Sequence, residues 1–237
     1  MNNAHTNIAG ISDQHGKLSH TTPECDVLCI VGDIVPLLST AEDWKQWQEL
    51  AWLETKYLRW LSKQRFTHCL VGWGNHDICA NSPDTRPLVK AALESMPGVQ
   101  VLDHDNPSVV INGIRFSAYP YTPTIQQRNW AFSLPRGDER VRRGLDHYVH
   151  PETDVLLSHG PPQGKLDHGY GCAELACKIV EVAPKLVLCG HIHEARGRRE
   201  EMWNIKGQQT RLVNVSICDR EYNEKGAKVQ TWVWNHE

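Results

Sequence analysis

Short apolar runs of strand character, each followed at once by a polar cluster, most constrain how this chain folds. Clear examples are Val27–Val31, which precedes Gly32-Asp33, and Lys185–Cys189, which precedes a Gly-His-Ile-His sequence at 190–193. A strand that is apolar at every position needs cover on both faces of its sheet. Helical patterns alternate with these runs early in the chain, so the sequence predicts an α/β protein in which helices cover sheets.

Ten strands are predicted from the apolar and alternating patterns. They lie near Asn7–Ser12, Asp26–Val31, Thr67–Val71, Val99–Leu102, Val109–Ile111, Ile114–Ala118, Asp154–Ser158, Lys185–Cys189, Arg211–Ile217 and Lys228–Trp234. Three helices are predicted, at Ala41–Gln64, Asp84–Glu94 and Gly171–Val182. In the longest helix, apolar residues recur every three or four positions from Trp47 to Leu61, which predicts one buried stripe.

Length and charge narrow the possible classes of protein. The 237 residues fit one large domain, residues 1–237, better than two complete domains. The formal net charge of -3 weighs against nucleic acid or an anionic membrane as a partner. Basic residues do cluster at Arg136–Arg143 and Arg196–Arg199, where a solvated surface is the ordinary interpretation and phosphate binding the alternative.

Cysteine usage and hydropathy predict a location. The eight cysteines include no Cys-x-x-Cys pair, and we interpret them as reduced thiols in a cytoplasmic protein. The segment Met1–Gly10 does not have the pattern of a signal peptide. No apolar run approaches the length of a membrane span, so no membrane association is expected.

Five polar clusters follow predicted strands, the position at which open α/β sheets bind their ligands. They are Ser12–Gly16, Gly32-Asp33, Gly74–Asp77, Ser158–Pro162 and Gly190–His193. Each cluster alone is well explained as an ordinary turn. All five in order favour one metal site, whose candidate ligands are Asp13, His15, Asp33, Asn75, His159, His191 and His193.

The chemistry of these seven candidates indicates what the site would bind. Imidazole nitrogens with carboxylate and amide oxygens suit manganese, iron, zinc or cobalt. Only Asp13 and Asp33 carry negative charge, so two divalent ions would leave the site net positive. A net positive site favours an anionic substrate and a metal-bound hydroxide.

The five polar clusters contain the motifs Asp13-x-His15, Gly32-Asp33, Gly74-Asn75-His76-Asp77, His159 and Gly190-His191-x-His193. In this order and spacing, across about 180 residues, the motifs resemble those of the calcineurin-like metallophosphoesterase superfamily. Others resemble its class III phosphodiesterase (MPPED-like) branch. These are Tyr119–Pro123, Asn129–Phe132, Pro135–Gly137, His159–Pro162, Gly171–Leu175 and Gly190–Glu194. Some relatives in that branch lack the histidine at the position of His193 and are impaired, so its presence here argues for activity.

The resemblance implies a fold and an assignment of the ligands to two metal ions. The implied fold is a two-sheet β-sandwich flanked by helices, the αββα metallophosphoesterase arrangement. One metal ion would bind to Asp13, His15 and His193, and the other to Asn75, His159 and His191. Asp33 and a hydroxide would bridge the two ions. Mn2+ is the expected metal, with Fe, Zn and Co as alternatives.

The expected activity is hydrolysis of a small or nucleotide phosphodiester by the bridging hydroxide. His76 is expected to protonate the leaving oxygen, and Asp77 to orient His76. The resemblance implies that Tyr121 and Trp130 form the bottom of the substrate pocket and stack against a base. His168 lies just after a motif loop and is therefore expected near the substrate.

Three alternative functions stay open at this point. A phosphomonoesterase or a nuclease would use the same site, although the chain lacks the basic stripe typical of nucleases. A non-catalytic metal-binding scaffold belongs to a different class, and the retained His76 and His193 argue against it. The sequence leaves the physiological substrate, the native metal, the source organism and the oligomeric state open.

Overall fold

The structure is a computed structural model that describes residues 5–37, 42–125, 130–196 and 201–236. Some predicted features reach outside the described residues. These are the first four positions of Met1–Gly10, Ala41 in the longest predicted helix, Asn129 in the predicted aromatic segment, and positions 197–199 of the second basic cluster.

Two large β-sheets contain most of the strands of the described residues. In chain order the strands are β1 (His5–Ile11), β2 (Cys25–Val31), β3 (Phe66–Gly72), β4 (Val99–Val101), β5 (Ser108–Ile111), β6 (Ile114–Tyr119), β7 (Thr122–Pro123), β8 (Ser133–Leu134), β9 (Val155–Ser158), β10 (Leu186–Cys189), β11 (Glu201–Ile205), β12 (Gln208–Asn214) and β13 (Gln230–Asn235). The sheet orders are β13-β1-β2-β3-β4 and β11-β12-β10-β9-β6-β5, and β7 pairs with β8.

The inner strands of both sheets run parallel. Strands β1 to β4 are parallel to one another, as are β6, β9, β10 and β12. Antiparallel strands, β13 in the first sheet and β5 and β11 in the second, lie at the edges. Parallel strands of one sheet end at the same edge, so the loops that follow them meet there.

An apolar core fills the space between the two sheets. On β2, Val27, Cys29 and Val31 belong to this inner core, while Leu28 and Ile30 belong to the core on the opposite face. Side chains alternate along a strand, so this apolar run is covered on both faces, as its sequence predicts. The second sheet contributes Phe116, Leu157, Leu188 and Val213 to the same inner core.

Helices cover the outer faces of both sheets. In chain order they are α1 (Glu42–Trp52), α2 (Leu58–Leu61), α3 (Ile78–Asn81), α4 (Arg86–Glu94), α5 (Glu139–Tyr148) and α6 (Ala173–Val182). A π-helical turn, Leu53–Tyr57, joins α1 to α2, and a short 3-10 helix, His193–Ala195, follows β10. The first four helices pack on the first sheet, and α5 and α6 pack on the second. This four-layer arrangement confirms the predicted two-sheet sandwich flanked by helices. Among the described residues, no helix has the length and apolar character needed to cross a bilayer.

The structure contains elements that the sequence patterns did not predict. All ten predicted strands are present, but β7, β8, β11 and the helices α3 and α5 were missed. Helix α5 has only a narrow apolar stripe, Val141, Leu145 and Tyr148, on an otherwise charged helix. Its start is marked by Asp138, whose carboxylate accepts a hydrogen bond from the backbone N–H of Arg140.

The inner core generates a prediction about stability. Leu188 is fully buried between the sheets, so Leu188→Ala is expected to lower the free energy of unfolding by about 2–5 kcal/mol. The matched control is Val233→Ala, because Val233 is 61% exposed on edge strand β13, and its expected loss is less than about 1 kcal/mol. Urea denaturation measures both values, and equal losses would contradict the placement of Leu188.

Candidate metal centre

The structure brings all seven predicted metal ligands together at one end of the sandwich. Each ligand lies in the segment that follows a parallel strand: Asp13 and His15 after β1, Asp33 after β2, Asn75 after β3, His159 after β9, and His191 and His193 after β10, with His193 opening the short 3-10 helix. The ligands therefore come from both sheets, although they are spread over 181 positions of the sequence, from 13 to 193.

Asp13, His15 and His193 form the first group of candidate ligands. Their donor atoms all lie within 4.8 Å of one another. The Nε2 atoms of His15 and His193 are 3.2 Å apart, and His193 Nε2 is 3.3 Å from Asp13 Oδ1. Three donors that converge on one point are the arrangement that a bound metal ion requires.

Asp33, His159 and His191 form the second group, again with donor atoms within 4.8 Å of one another. His159 Nε2 is 3.3 Å from Asp33 Oδ2 and 3.0 Å from Asn75 Oδ1, so the amide of Asn75 joins this group. The same Asp33 Oδ2 is 3.7 Å from His15 Nε2 in the first group. One carboxylate oxygen thus faces both groups.

Backbone carbonyls orient two of the imidazoles. His159 Nδ1 donates to the carbonyl oxygen of Val31 at 2.9 Å, and His193 Nδ1 donates to that of Asp219 at 2.9 Å. When the ring is neutral, this bond keeps its proton on Nδ1 and leaves the lone pair of Nε2 for a metal ion. Metal-binding histidines are commonly oriented in this way.

At the candidate metal centre, Asp13 also connects the loops of the two sheets. Its carboxylate accepts hydrogen bonds from the backbone N–H of His191 at 3.0 Å and from the hydroxyl of Ser216 at 2.7 Å. The approach is so close that a Cβ atom on Gly190 would overlap the side chains of Ser12 and Asp13. Glycine is therefore required at position 190 by space rather than by backbone conformation.

Several buried polar atoms at the centre have no hydrogen-bond partner among the described residues. They include His191 Nε2 and Asn75 Nδ2. An unpaired buried polar atom costs free energy, and such atoms call for an explanation. For His191 Nε2, a metal ion in the second group would supply the missing partner, so the donor set fits a metal site.

Four candidate ligands have left-handed backbone conformations. The φ angles are 55° for Asp13, 43° for His15, 53° for Asp33 and 63° for His191. Residues other than glycine adopt this conformation at a cost of about 1–3 kcal/mol each, and such strain is concentrated at functional sites. Backbone bonds hold these loops together, for example from the N–H of His15 to the carbonyl oxygen of Asp33 at 2.9 Å.

Burial and neighbouring charges determine the protonation of the ligands. Burial lowers the pKa of His15 to about 4 and that of His191 to about 3, so both rings are neutral near pH 7, as metal binding requires. Burial would also lower the pKa of His159, but the charge and hydrogen bond of Asp33, with the charge of Asp13, together outweigh burial and raise that pKa to about 9. Burial opposes ionisation of Asp13, yet the hydrogen bond and charge of His193 keep its pKa below its ordinary value.

The Asp77 side chain, which was expected to orient His76, contacts the backbone of the neighbouring loops. Its two carboxylate oxygens accept hydrogen bonds from four backbone N–H groups, those of Asp33, Ile34, Val35 and Gly74, at 2.8 to 3.3 Å. Burial, followed by the nearby charge of Asp33, raises the pKa of Asp77 to about 7. Among the described residues it makes no hydrogen bond to the His76 ring. Asp77 therefore holds the loops after β2 and β3 together rather than orienting His76.

His76 lies beside the centre without belonging to either ligand group. Its backbone N–H donates to Asp33 Oδ1 at 2.8 Å, which ties it to the shared carboxylate. Its ring centroid is 5.1 Å from that of His15 and 5.1 Å from that of Trp130. The side chain lines a cavity of about 280 Å³ that also contains Asp33 and His191 in its walls.

The cavity of about 280 Å³ beside the candidate ligands is called the metal cleft. Of the three predicted substrate contacts, only Trp130 lines it. Tyr121 lines a neighbouring cavity that also touches Trp130. His168 is exposed and lies outside the cleft, while Tyr170 from the same loop lines it. Position in a motif loop was too coarse a signal to choose between these two residues.

The segment after β12 forms one wall of the metal cleft, and none of its residues was predicted from the sequence. Tyr222 and Arg220 line the metal cleft, and the Tyr222 ring lies edge-on at 5.0 Å from the rings of both His15 and His193. Arg196 holds this segment by donating hydrogen bonds to the carbonyl oxygens of Asn223 and Lys225. The segment has no helix or strand pattern, so nothing in the sequence indicated its position.

Known proteins resemble this chain over most of its length. A family model described as calcineurin-like phosphoesterase matches residues 6–195. Human metallophosphoesterase domain-containing protein 1 is 26% identical over 242 residues, covering 92% of this chain and 68% of that protein. A UPF0046 protein of Caenorhabditis elegans is 26% identical over 236 residues, covering 94% of this chain and 72% of its own length.

Solved structures share the fold at low sequence identity. The protein TT1561 of Thermus thermophilus is 14% identical with a TM-score of 0.59, over 96% of this chain and 98% of that one. Phosphopantetheinyl hydrolase from Mycobacterium tuberculosis is 16% identical with a TM-score of 0.55, over 97% and 96%. The family match includes every candidate metal ligand and ends before Tyr222. The chain therefore belongs to the calcineurin-like phosphoesterase family.

Proposed function

We propose that this protein is a metal-dependent phosphodiesterase that hydrolyses small or nucleotide phosphodiesters. The observation that carries the proposal is the position of Asp33 Oδ2, 3.7 Å from His15 Nε2 in one ligand group and 3.3 Å from His159 Nε2 in the other. A carboxylate shared by two ligand groups is the arrangement of a two-metal hydrolase.

The ligands of the proposed centre would hold two divalent ions, with Asp13, His15 and His193 on one, Asn75, His159 and His191 on the other, and Asp33 between them. When bound, the ions would supply Lewis acidity and lower the pKa of water. We propose Mn2+, because mixed nitrogen and oxygen donors suit it, with Fe, Zn and Co as alternatives.

All eight cysteines are free, which supports the proposed cytoplasmic location.

In this proposal the protein's own residues position the ester and move a proton. The seven ligands carry only two formal negative charges, so the loaded centre would attract a phosphate. The His76 ring lines the cleft beside Asp33 and would donate a proton to the leaving oxygen. Trp130 beside His76 and Tyr222 beside His193 provide walls for the two ester groups of a diester.

The direct test is a comparison of chromogenic esters with each metal. With Mn2+, bis(4-nitrophenyl) phosphate is expected to be hydrolysed with a higher kcat/KM than 4-nitrophenyl phosphate, because the cleft has walls for two ester groups. Chelation should abolish both reactions, and Mn2+ should restore them. A higher kcat/KM for the monoester would contradict the diester preference, and inactivity with every metal would contradict the proposed function.

The roles of His76 and Asp77 can be separated by two variants. For a diester with an alkoxide leaving group, which needs a proton in order to depart, His76→Ala is expected to lower kcat by about 10²–10⁴-fold, the usual contribution of a general acid, while the bound metal is retained. Asp77→Asn is expected to lower the free energy of unfolding by at least about 2 kcal/mol, because an amide cannot accept all four backbone bonds. Metal analysis, kinetics and urea denaturation give the three readouts. A fully active His76→Ala variant would exclude the proton-donor role.

Tyr222 provides a test of one ligand group alone. Its ring packs against His15 and His193, so Tyr222→Ala is expected to weaken binding of one of the two ions by about 10-fold, the usual effect of losing a group that orients ligands. Tyr222→Phe keeps the ring and is the matched control. Titration of metal-free protein with Mn2+ measures both sites. Unchanged affinities at both sites in Tyr222→Ala would show that the ring does not support the ligands.

A further inference from the structure

We propose that a cavity next to the metal cleft binds a second phosphate group of the substrate, carried on an aromatic nucleoside. This inference rests on the proposed phosphodiesterase function and specifies its substrate class. The cavity has a volume of about 450 Å³ and shares Trp130 with the metal cleft. The Trp130 ring is 5.1 Å from that of His76, so one extended ligand would reach from the centre into this cavity.

One stripe of helix α5 forms the cationic wall of the cavity. Arg140, Arg143, Gly144 and His147 all line it. Arg143, Gly144 and His147 follow Arg140 by three, four and seven positions, a spacing that places all four residues on one face of an α-helix. The apolar residues of α5 are buried against the second sheet, so the helix presents the two arginines from a packed support.

The charge of this cavity differs from that of the whole chain. No carboxylate is among the described residues that line it, whereas the chain has a formal net charge of -3. Arg140 pairs with Asp138 at 2.7 Å and Arg143 with Glu139 at 2.8 Å, and in both pairs the arginine is mainly exposed. Arg140 holds Asp138 in a bidentate contact through Nε and Nη2, which is stronger than an ordinary surface pair, whereas both partners of the Arg143 pair are exposed and that pair is weak. A guanidinium has five N–H donors, which leaves donors for the oxygens of a phosphate.

Aromatic side chains form the remaining walls. Tyr121, Trp130, Phe132 and Tyr148 line the cavity, as do the rings of His104 and His147. The two histidine rings have centroids 4.3 Å apart, and His147 Nε2 donates to the carbonyl oxygen of His104 at 2.7 Å, which fixes α5 to the loop after β4. Flat faces suit a planar ring, and arginines suit a phosphate. Together they match a nucleoside that carries a phosphate in addition to the ester being cleaved.

The basic segment Arg136–Arg143 thereby divides into two surfaces. Arg136 donates hydrogen bonds to the carbonyl oxygens of Gly169 and Gly171, so it stabilises a loop. Arg142 is exposed and does not line the cavity. Only Arg140 and Arg143 face it, and this distinction provides matched variants on one helix.

Two substrates that differ by one phosphate test the inference. They are the 4-nitrophenyl ester of thymidine 5′-phosphate and the same ester carrying a 3′-phosphate. The wild-type protein is expected to prefer the second by about 10-fold or more in kcat/KM, the effect of a charge-assisted hydrogen bond. Arg140→Gln with Arg143→Gln should remove this preference, and the control Arg142→Gln should keep it. The preference is a ratio for each variant, so a general loss of activity does not imitate the effect.

Binding measurements separate this inference from the proposed function. Calorimetry would compare thymidine 3′,5′-bisphosphate with thymidine 5′-phosphate on the Mn2+-loaded protein. Tighter binding of the bisphosphate that is lost in the double arginine variant supports the cavity, even if neither ester is hydrolysed. Equal affinity for the two nucleotides, or a preference that survives the double variant, would overturn it. Hydrolysis of both esters without any preference would retain the function and reject the cavity.

Discussion

The carboxylate of Asp33 is the group on which the rest of the proposed site depends. Its Oδ2 atom faces His15 and His159, and its Oδ1 atom accepts the backbone N–H of His76. Burial opposes its ionisation, but the charges of His159, His76 and His15 together with the His159 hydrogen bond outweigh this effect and keep the pKa of Asp33 well below its ordinary value. The nearby Asp77 carboxyl has a pKa raised to about 7 by burial and by the charge of Asp33. The two carboxyl groups can be buried together because their pKa values are driven apart.

The sandwich places this carboxylate where imidazoles from both sheets reach it. Asp33 follows β2 in the first sheet, whereas His159 and His191 follow β9 and β10 in the second. The inner core determines the separation of the sheets, and the Asp13 carboxylate joins them at the loop end through the His191 N–H and the Ser216 hydroxyl. The ligands from the two sheets are therefore held near one another by the core between the sheets and by these two hydrogen bonds.

Much of this arrangement was predictable from local sequence. The apolar run of β2 predicted a strand covered on both faces, and polar clusters after strands predicted that distant ligands meet. Helix α5 was missed because its apolar stripe is narrow, and with it the cavity that Arg140 and Arg143 line. Tyr222 was missed because irregular segments carry no periodic signal. The contacts of Asp77 include the backbone N–H of Asp33, 44 positions earlier in the chain, which no adjacent pattern in the sequence encodes.

In the proposed centre, Asp33 would bridge a pair of metal ions. The most direct measurement is a crystal structure of the protein grown with Mn2+, with anomalous diffraction data to locate the metal. We expect two ions about 3.5–4 Å apart, with an oxygen of Asp33 bound to both. A single ion, or two ions without Asp33 between them, would contradict it.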